Sequence, residues 1–371
     1  MLSDKVADII AVGSNNTRLS SESIMKELKR YKLIVSYDGT NYKGFQRQSS
    51  FSSSSSSSTA IETSNVTDNH DPIRVLGKRP RSNKINFRKV VPPTVQEVLE
   101  DAIEFYTDLD RQTHKVRFAG RTDSGVHARG QVLAVFLPHI TTNSNCGSDG
   151  VEEEEENWQI RRAINSRLPN DISIDLVSTC HESFDPRLDA IRKQYSYLLR
   201  YREKVVITSS SGIGKSNEED NILPICAKGG PHLLRNALDS NFLWICPWAL
   251  DSSKIKRCCE LLTGTHDFSA FVHKKARETR DNRMTVNRFD FEQKKLEDST
   301  APVWEVRFLV EAKGFGRSQV RNMIGFLVDC CRGTIKDHES SPDWIWKDPN
   351  QLSKQINSAP ACGLCLEHVI Y

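Results

Sequence analysis

No stretch of the 371 residues runs to 18 consecutive apolar side chains, so no segment reads as a membrane-spanning helix. The first residues carry Asp4 and Asp8 and no long apolar block. That reads against a secretory signal, and it fits poorly with an organellar transit peptide, which is Arg- and Ser-rich and short of acids. There is no GxxxxGK[S/T] phosphate loop and no GxGxxG fingerprint, the two short signatures of nucleotide and dinucleotide binding. The ten cysteines are scattered as two adjacent pairs (Cys258-Cys259, Cys330-Cys331), one CxxC (Cys362, Cys365) and isolated residues, with no second CxxC or HxxxH near the first. A zinc site needs about four ligands. The cysteines therefore read as free thiols of a reducing compartment, and neither a metal nor a cofactor is expected. Hydrophobic residues make up only 37% of the chain, below the usual apolar share of ~45–50%, although that reference also counts glycine. Polar insertions diluting a foldable chain explain the deficit.

Those insertions are visible. From Ser49 to Ser58 nine of ten residues are serine, and residues 74–89 hold seven Lys/Arg and no acid. Such a run buries too little apolar surface to offset its ordering entropy, so 49–90 reads as a disordered insertion. Glu152 to Glu156 are five consecutive acids, and 141–157 reads as an acidic insertion. A further polar stretch covers 208–221, within an irregular region 203–247. Net charge is only +3, so the distribution of charge says more about partners than its total.

Between the insertions the chain has clear periodicity. Tyr31 to Tyr37 is a strand ending at Asp38-Gly39, a turn signal. Thr94 caps a helix with Val95, Val98, Leu99, Ala102, Ile103 and Tyr106 at helical spacing. Strands over 114–119 and 131–137, a helix over 158–168 and a strand over 172–177 follow. The second half runs through a strand 193–201, a helix 252–262, strands 284–291 and 303–312, a helix 317–332, an added helix 349–358 and a strand 366–371. Both halves read β-α-β-β-α-β, the ferredoxin-like unit. The expected fold is α+β: two ferredoxin-like halves, 30–179 and 180–371, whose sheets join into one platform, preceded by a polar tail 1–29.

The segment richest in chemistry is Gly120-Arg121-Thr122-Asp123-Ser124-Gly125-Val126-His127-Ala128, between two strand-like runs. By spacing alone it is a solvated hairpin turn with an Asx-type hydrogen bond from Asp123. Continued into Gly130-Gln131-Val132, however, it resembles the active-site motif of the tRNA pseudouridine synthases of the TruA family. Further segments resemble that family in the same order: Tyr37-Asp38-Gly39, Tyr42-Lys43-Gly44-Phe45-Gln46-Arg47-Gln48, Thr94-Val95-Gln96, Leu168 to Ile172, Phe184-Asp185-Pro186-Arg187, Lys193 to Tyr197, Gly264 to Phe271 and Val320-Arg321-Asn322-Met323-Ile324-Gly325. The resemblance covers about 31–48 and 93–371 apart from the insertions. Each motif is weak alone; together they are specific.

What the resemblance implies is isomerisation of a uridine within tRNA, most simply in the anticodon stem-loop at positions 38–40, by a homodimer without a cofactor. Asp123 matches the catalytic aspartate. A carboxylate suits chemistry that needs a nucleophile able to remain in place. Arg321 matches its arginine partner; a neighbouring cation favours the ionised carboxylate and fixes its direction. A lone arginine in so apolar a helix also needs a partner. Tyr195 matches the active-site tyrosine, whose ring packs on the flipped uracil and whose hydroxyl helps remove the C5 proton. Arg121 is placed to hold the RNA backbone or the vacated base position. Lys43, Gln46, Arg47, His127, Arg129, Phe184 and Arg187 are implied as RNA contacts, with a basic cluster at Lys274, Lys275, Arg277, Arg280, Arg283 and Arg288; as a group they predict salt-dependent tRNA binding. Gly316-Arg317-Ser318 stands where the family usually has bulkier residues, often including histidine. Lys78-Arg79-Pro80-Arg81 resembles a nuclear-import patch, or equally an arm for RNA, and the expected compartment is nucleus or cytoplasm. Two rivals are weighed: a non-catalytic RNA-binding module of the same fold, and a metal-dependent hydrolase built on Asp123, His127, His266 and Asp267.

Overall fold

The computed structural model describes residues 28–47, 92–139, 149–204, 234, 237–296, 302–335 and 344–371. The serine-rich and basic stretch, with Lys78–Arg81, the polar stretch 208–221 and nearly all of the tail 1–29 lie outside these residues.

Alternating apolar residues make β1 (Leu28–Tyr37), whose Tyr31, Leu33, Val35 and Tyr37 all point to one face and are buried. β1 pairs antiparallel with β3 (His127–Pro138) and with β4 (Ile172–Thr179). In the second half β5 (Arg192–Glu203) pairs antiparallel with β9 (Val303–Ala312), which pairs with β8 (Arg283–Leu296), which in turn pairs with β7 (Gly264–Asp267). The last strand, β10 (Leu364–Ile370), lies between β3 and β5, parallel to the first and antiparallel to the second. The result is a mixed α/β fold on one large mixed sheet of ten strands. Its order is β4-β1-β3-β10-β5-β9-β8-β7, with the two-residue β2 (Arg117–Phe118) beside β3 and β6 (Trp244–Leu250) beside β5. Among the described residues no helix is long and apolar enough to cross a membrane.

The junction positions the site. Leu366 is in register with Ala128 on one side and with Tyr195 on the other. Two strand spacings separate Ala128 from Tyr195, about 10 Å. The end of the Gly120–Ala128 segment is thereby brought beside a strand that begins more than sixty residues later.

Several elements differ from expectation, each for a physical reason. The strand expected over 114–119 contracts to Arg117–Phe118, because Asp110 accepts from the Thr113 N–H at 2.8 Å and winds Arg111–His114 into a helical turn. The acidic stretch is not all insertion, since the helix expected from Trp158 spans Asp149–Asn165. Helical spacing puts Glu156, Ile160 and Ile164 on one face, and all three are buried. The Glu156 carboxylate is received inside by the Tyr31 hydroxyl at 2.6 Å and by His139 Nδ1 at 2.7 Å. Burial, then this hydrogen bond, pushes the Tyr31 phenol well above its ordinary range. The region read as irregular contains β6, concealed by Pro247. The ladder skips there, from Arg200↔Ile245 to Arg202↔Ala249, as a proline in an edge strand requires. Short β7, the Lys274–Thr279 helix and the Trp344–Lys347 turn carry too few periodic residues to be read from sequence.

The Val95–Thr107 helix starts as its sequence indicates, with a capping box in which Thr94 and Glu97 each receive the other's backbone N–H. The Gln319–Cys331 helix is buried along most of its length, with Met323, Ile324, Phe326 and Leu327 fully enclosed.

Candidate active site

The Gly120–Ala128 segment is an ordered loop. β2 and β3 pair antiparallel at Arg117↔Ala134 and Phe118↔Leu133, but β3 already begins at His127. The residues between fold back over the sheet instead of closing a tight hairpin. Two layers hold them. Below, the Tyr37 hydroxyl meets Thr122 Oγ1 at 2.8 Å, the Gln131 amide donates to Gly120 O at 2.7 Å, and the Lys193 ammonium donates to Ala119 O. Burial, then the charge of Arg187, lowers the Lys193 pKa to about 8. Alongside, the 38–47 loop clamps the segment: Phe45 N donates to Thr122 O at 3.2 Å and Ser124 Oγ to Tyr42 O at 3.0 Å. Gly44 makes this approach possible. Its φ is +95°, and a Cβ there would lie 2.8 Å from Thr122 O.

Asp123 projects from this loop into contact with the second half. Its Oδ2 accepts a hydrogen bond from the Ser318 hydroxyl at 2.8 Å and lies 3.5 Å from Arg321 Nη1. Arg321 is itself fixed, because its Nε donates to Ala359 O at 2.7 Å. That carbonyl belongs to the segment leading into β10. Tyr195 is buried and packs edge-on against Phe315, with ring centroids 5.4 Å apart. Burial, then the charge of Asp123, raises its phenol well above the ordinary range. The ring therefore offers a neutral hydroxyl at neutral pH, a donor rather than a phenolate base. Asp123, Tyr195 and Arg321 come from three segments that the chain keeps far apart, and the structure brings them together.

The other residues singled out from sequence are distributed differently. Lys43, Arg121 and Arg187 are exposed, and Gln46 and Phe184 are half-buried; Phe184 packs on Tyr371. Arg47 is paired with Glu100 at 2.7 Å and is committed to the helix. His127 is buried, with Nδ1 3.1 Å from both Gly39 N and Asp38 Oδ1 and its ring against Phe242. Burial lowers its pKa despite the neighbouring carboxylate. Burial opposes ionisation of Asp38 too, but the Thr40 hydroxyl and N–H and His127 together hold its carboxyl below the usual range. Arg129 and Arg307 both reach the buried Glu367. These groups border a cavity of about 430 Å³ that is also lined by Ser196 and Leu198. Those two residues alternate with Tyr195 and Tyr197 along β5, so the cavity lies across the sheet from the Tyr195 side chain. Within the basic cluster, Arg277 is tied to Ser269 O and Ser353 and Arg288 to Asp290, while Lys274, Lys275 and Arg283 are exposed.

Ser318, Thr122, Lys193 and the Ala359 carbonyl were missed as members of the site. Thr122 and Lys193 stood inside segments singled out from sequence without a role of their own, and the signal for Ser318 was the Gly316-Arg317-Ser318 run ahead of the arginine helix; which atom that run leaves room for is decided by folding. Among the described residues no group of three or more His, Cys, Asp or Glu side chains is placed to hold a metal ion.

The site can present one carboxylate, anchored on one oxygen, beside a buried neutral phenol and a fixed guanidinium. A family model described as tRNA pseudouridine synthase matches residues 258–371. Proteins named tRNA pseudouridine synthase A are similar over nearly their whole lengths. That of Thermodesulfovibrio yellowstonii is 26% identical over 92% of this chain and 98% of its own. That of Oleidesulfovibrio alaskensis is 28% identical over 93% and 97%, and that of Thermosipho africanus 29% identical over 93% and 100%.

Proposed function

This chain belongs to the tRNA pseudouridine synthase family, and we propose that Asp123 is its nucleophile, with Arg321 and Tyr195 as partners. The activity is isomerisation of uridine to pseudouridine in tRNA. The C1′–N1 bond breaks, the uracil turns, and C1′ rejoins to C5; C5 gives up a proton and N1 gains one. No electrons enter or leave overall.

The observation that carries the residue assignment is the convergence on Asp123 of a guanidinium and a hydroxyl from the opposite half, with a buried tyrosine beside them. A carboxylate so held engages C1′ while the detached uracil turns. Arg321 sets a positive charge 3.5 Å from its Oδ2, and the Ala359 carbonyl keeps Arg321 aimed. Tyr195 supplies a flat surface for the base and, with its phenol kept neutral, a proton donor or relay. The target base must leave its stack first, at a cost of roughly a few kcal/mol that is smallest in a loop. The resemblance of the Gly120–Ala128 motif to the TruA family points to a uridine in the anticodon stem-loop, at positions 38–40, as the substrate position. Exposed Lys43, Arg121 and Arg187 suit phosphate contacts. The strand orders β4-β1-β3-β2 and β10-β5-β9-β8 support reading the sheet as two ferredoxin-like halves, and a homodimer is the expected assembly.

The test is to map pseudouridines at nucleotide resolution in unmodified tRNA treated with the purified protein and with Asp123→Ala. The expected result is conversion at one or a few anticodon-arm uridines by the native protein. The variant should convert none and still bind the tRNA. A variant that kept turnover would refute the assignment of Asp123. Binding without turnover by both proteins would favour a non-catalytic RNA-binding module.

A further inference from the structure

Ser318 occupies an uncommon backbone state. It is the N-cap of the Gln319–Cys331 helix, yet its φ is 58° and ψ is 8°, in the left-handed region. A serine at this position ordinarily adopts an extended conformation and caps the helix with its own hydroxyl. Here it makes no side-chain capping bond. The turn is closed by its neighbour instead. Gln319, buried, accepts from Gly316 N through Oε1 at 2.7 Å, while Gln319 N donates to Gly316 O at 3.1 Å. The Ser318 hydroxyl is thereby released from the helix and donates across the domain to Asp123 Oδ2 at 2.8 Å. A non-glycine residue held in a sparsely populated conformation beside a reactive group is the arrangement in which local strain serves a site.

Both partners of the carboxylate fall on the same oxygen: the Ser318 hydroxyl and, at 3.5 Å, Arg321 Nη1. No hydrogen bond to Oδ1 occurs among the described residues. We propose that Ser318 is a positioning residue that anchors Asp123 through Oδ2 and leaves Oδ1 as the oxygen that attacks the ribose. This rests on the reading of Asp123 as the nucleophile. Oδ1 then bonds to C1′ as the C1′–N1 pair passes to uracil N1. Oδ2 becomes an ester carbonyl that still accepts from Ser318. When C5 bonds to C1′, Oδ1 leaves with its electron pair and the carboxylate is restored; the C5 proton departs and N1 takes one up. A hydroxyl serves both charge states of Oδ2, whereas a guanidinium alone would favour only the anion.

The test uses Ser318→Gly in the full chain. Glycine adopts positive φ freely, so the variant keeps the backbone and removes the hydroxyl together with its Cβ. Three quantities are measured: the thermal midpoint, the affinity for an unmodified tRNA transcript, and the single-turnover rate of pseudouridine formation. The expected result is an unchanged or higher midpoint, unchanged affinity, and a rate lower by roughly ten- to a hundredfold, as for loss of a hydrogen bond to a charged group. A rate within about twofold of native overturns the proposal. So does a rate loss matched by a lower midpoint or weaker tRNA binding, since that marks a structural role. Asp123→Ala, run in parallel, separates the two levels. If it is inactive while Ser318→Gly is native-like, only the Ser318 proposal fails; if it turns over, the reading of Asp123 fails and the proposal with it.

Discussion

Arg321, Gly325 and Asp329 lie four residues apart on one face of a helix, and all three meet the 357–359 segment. Arg321 Nε donates to Ala359 O at 2.7 Å, Ala359 N donates to Arg321 O at 3.1 Å, and Asn357 N donates to Asp329 Oδ2 at 2.9 Å. Gly325 sits between these contacts. A Cβ there would be 1.8 Å from Asn357 O, against 3.4 Å for an ordinary contact. Gly325→Ala therefore demands a displacement of 1.6 Å (3.4 − 1.8). The obstacle is backbone on both sides, so no side chain can swing aside. Moved by that amount, the Arg321–Ala359 bond stretches toward 4.3 Å (2.7 + 1.6), beyond hydrogen-bond range. Overpacking of this kind costs typically ~1–3 kcal/mol, offset by up to ~1 kcal/mol from alanine's better helix propensity. The larger effect falls on chemistry. Arg321 loses the bond that aims it at Asp123, and a misplacement of about 1 Å costs on the order of 10²-fold in rate. The assay is single-turnover pseudouridine formation at a temperature where circular dichroism shows the variant folded, together with its thermal midpoint. Native-like turnover with a native midpoint would refute the reasoning, because the 357–359 segment would then be a passive neighbour and not the support of Arg321.

Tyr195→Phe keeps the edge-on packing against Phe315 and removes only the hydroxyl. Turnover is expected to fall by about 10²-fold with the thermal midpoint unchanged, and native turnover would leave the ring as the whole of its contribution. Lys193→Met tests linkage. The folded protein releases the Lys193 proton near pH 8 and the unfolded chain near 10.5, so between those values the unfolded state binds more protons and this group makes stability rise with pH. Urea midpoints measured across that window should climb more steeply for the native protein than for the variant; parallel curves would show that Lys193 titrates normally.

The long elements were legible before folding because their periodicity is their packing. The alternation of Tyr31, Leu33, Val35 and Tyr37, and the helical spacing of Val320, Met323, Ile324 and Leu327, each describe one buried face. Thr94 and Glu97 declare a helix start within four residues. Glu156 misled for the converse reason: a run of acids looks solvated, and only packing against Tyr31 and His139 gives one of them an interior role. Pro247 hid a strand because the residue that breaks a ladder is tolerated only beside a neighbour the sequence does not name.

Asp123, Tyr195 and Arg321 could each be picked out along the chain by the segments around them. Their meeting could not, because it depends on β10, the last strand, entering between β3 and β5 and setting Ala128, Leu366 and Tyr195 in one row. Chain order carries local propensity and pattern. It does not carry register between strands separated by more than sixty residues, which is settled by how the whole sheet buries its faces. The same holds on the scale of single atoms. That a serine would turn its hydroxyl away from its own helix and onto one oxygen of Asp123 follows from a backbone angle at Ser318, and that angle exists only once Gln319 is buried and closes the turn.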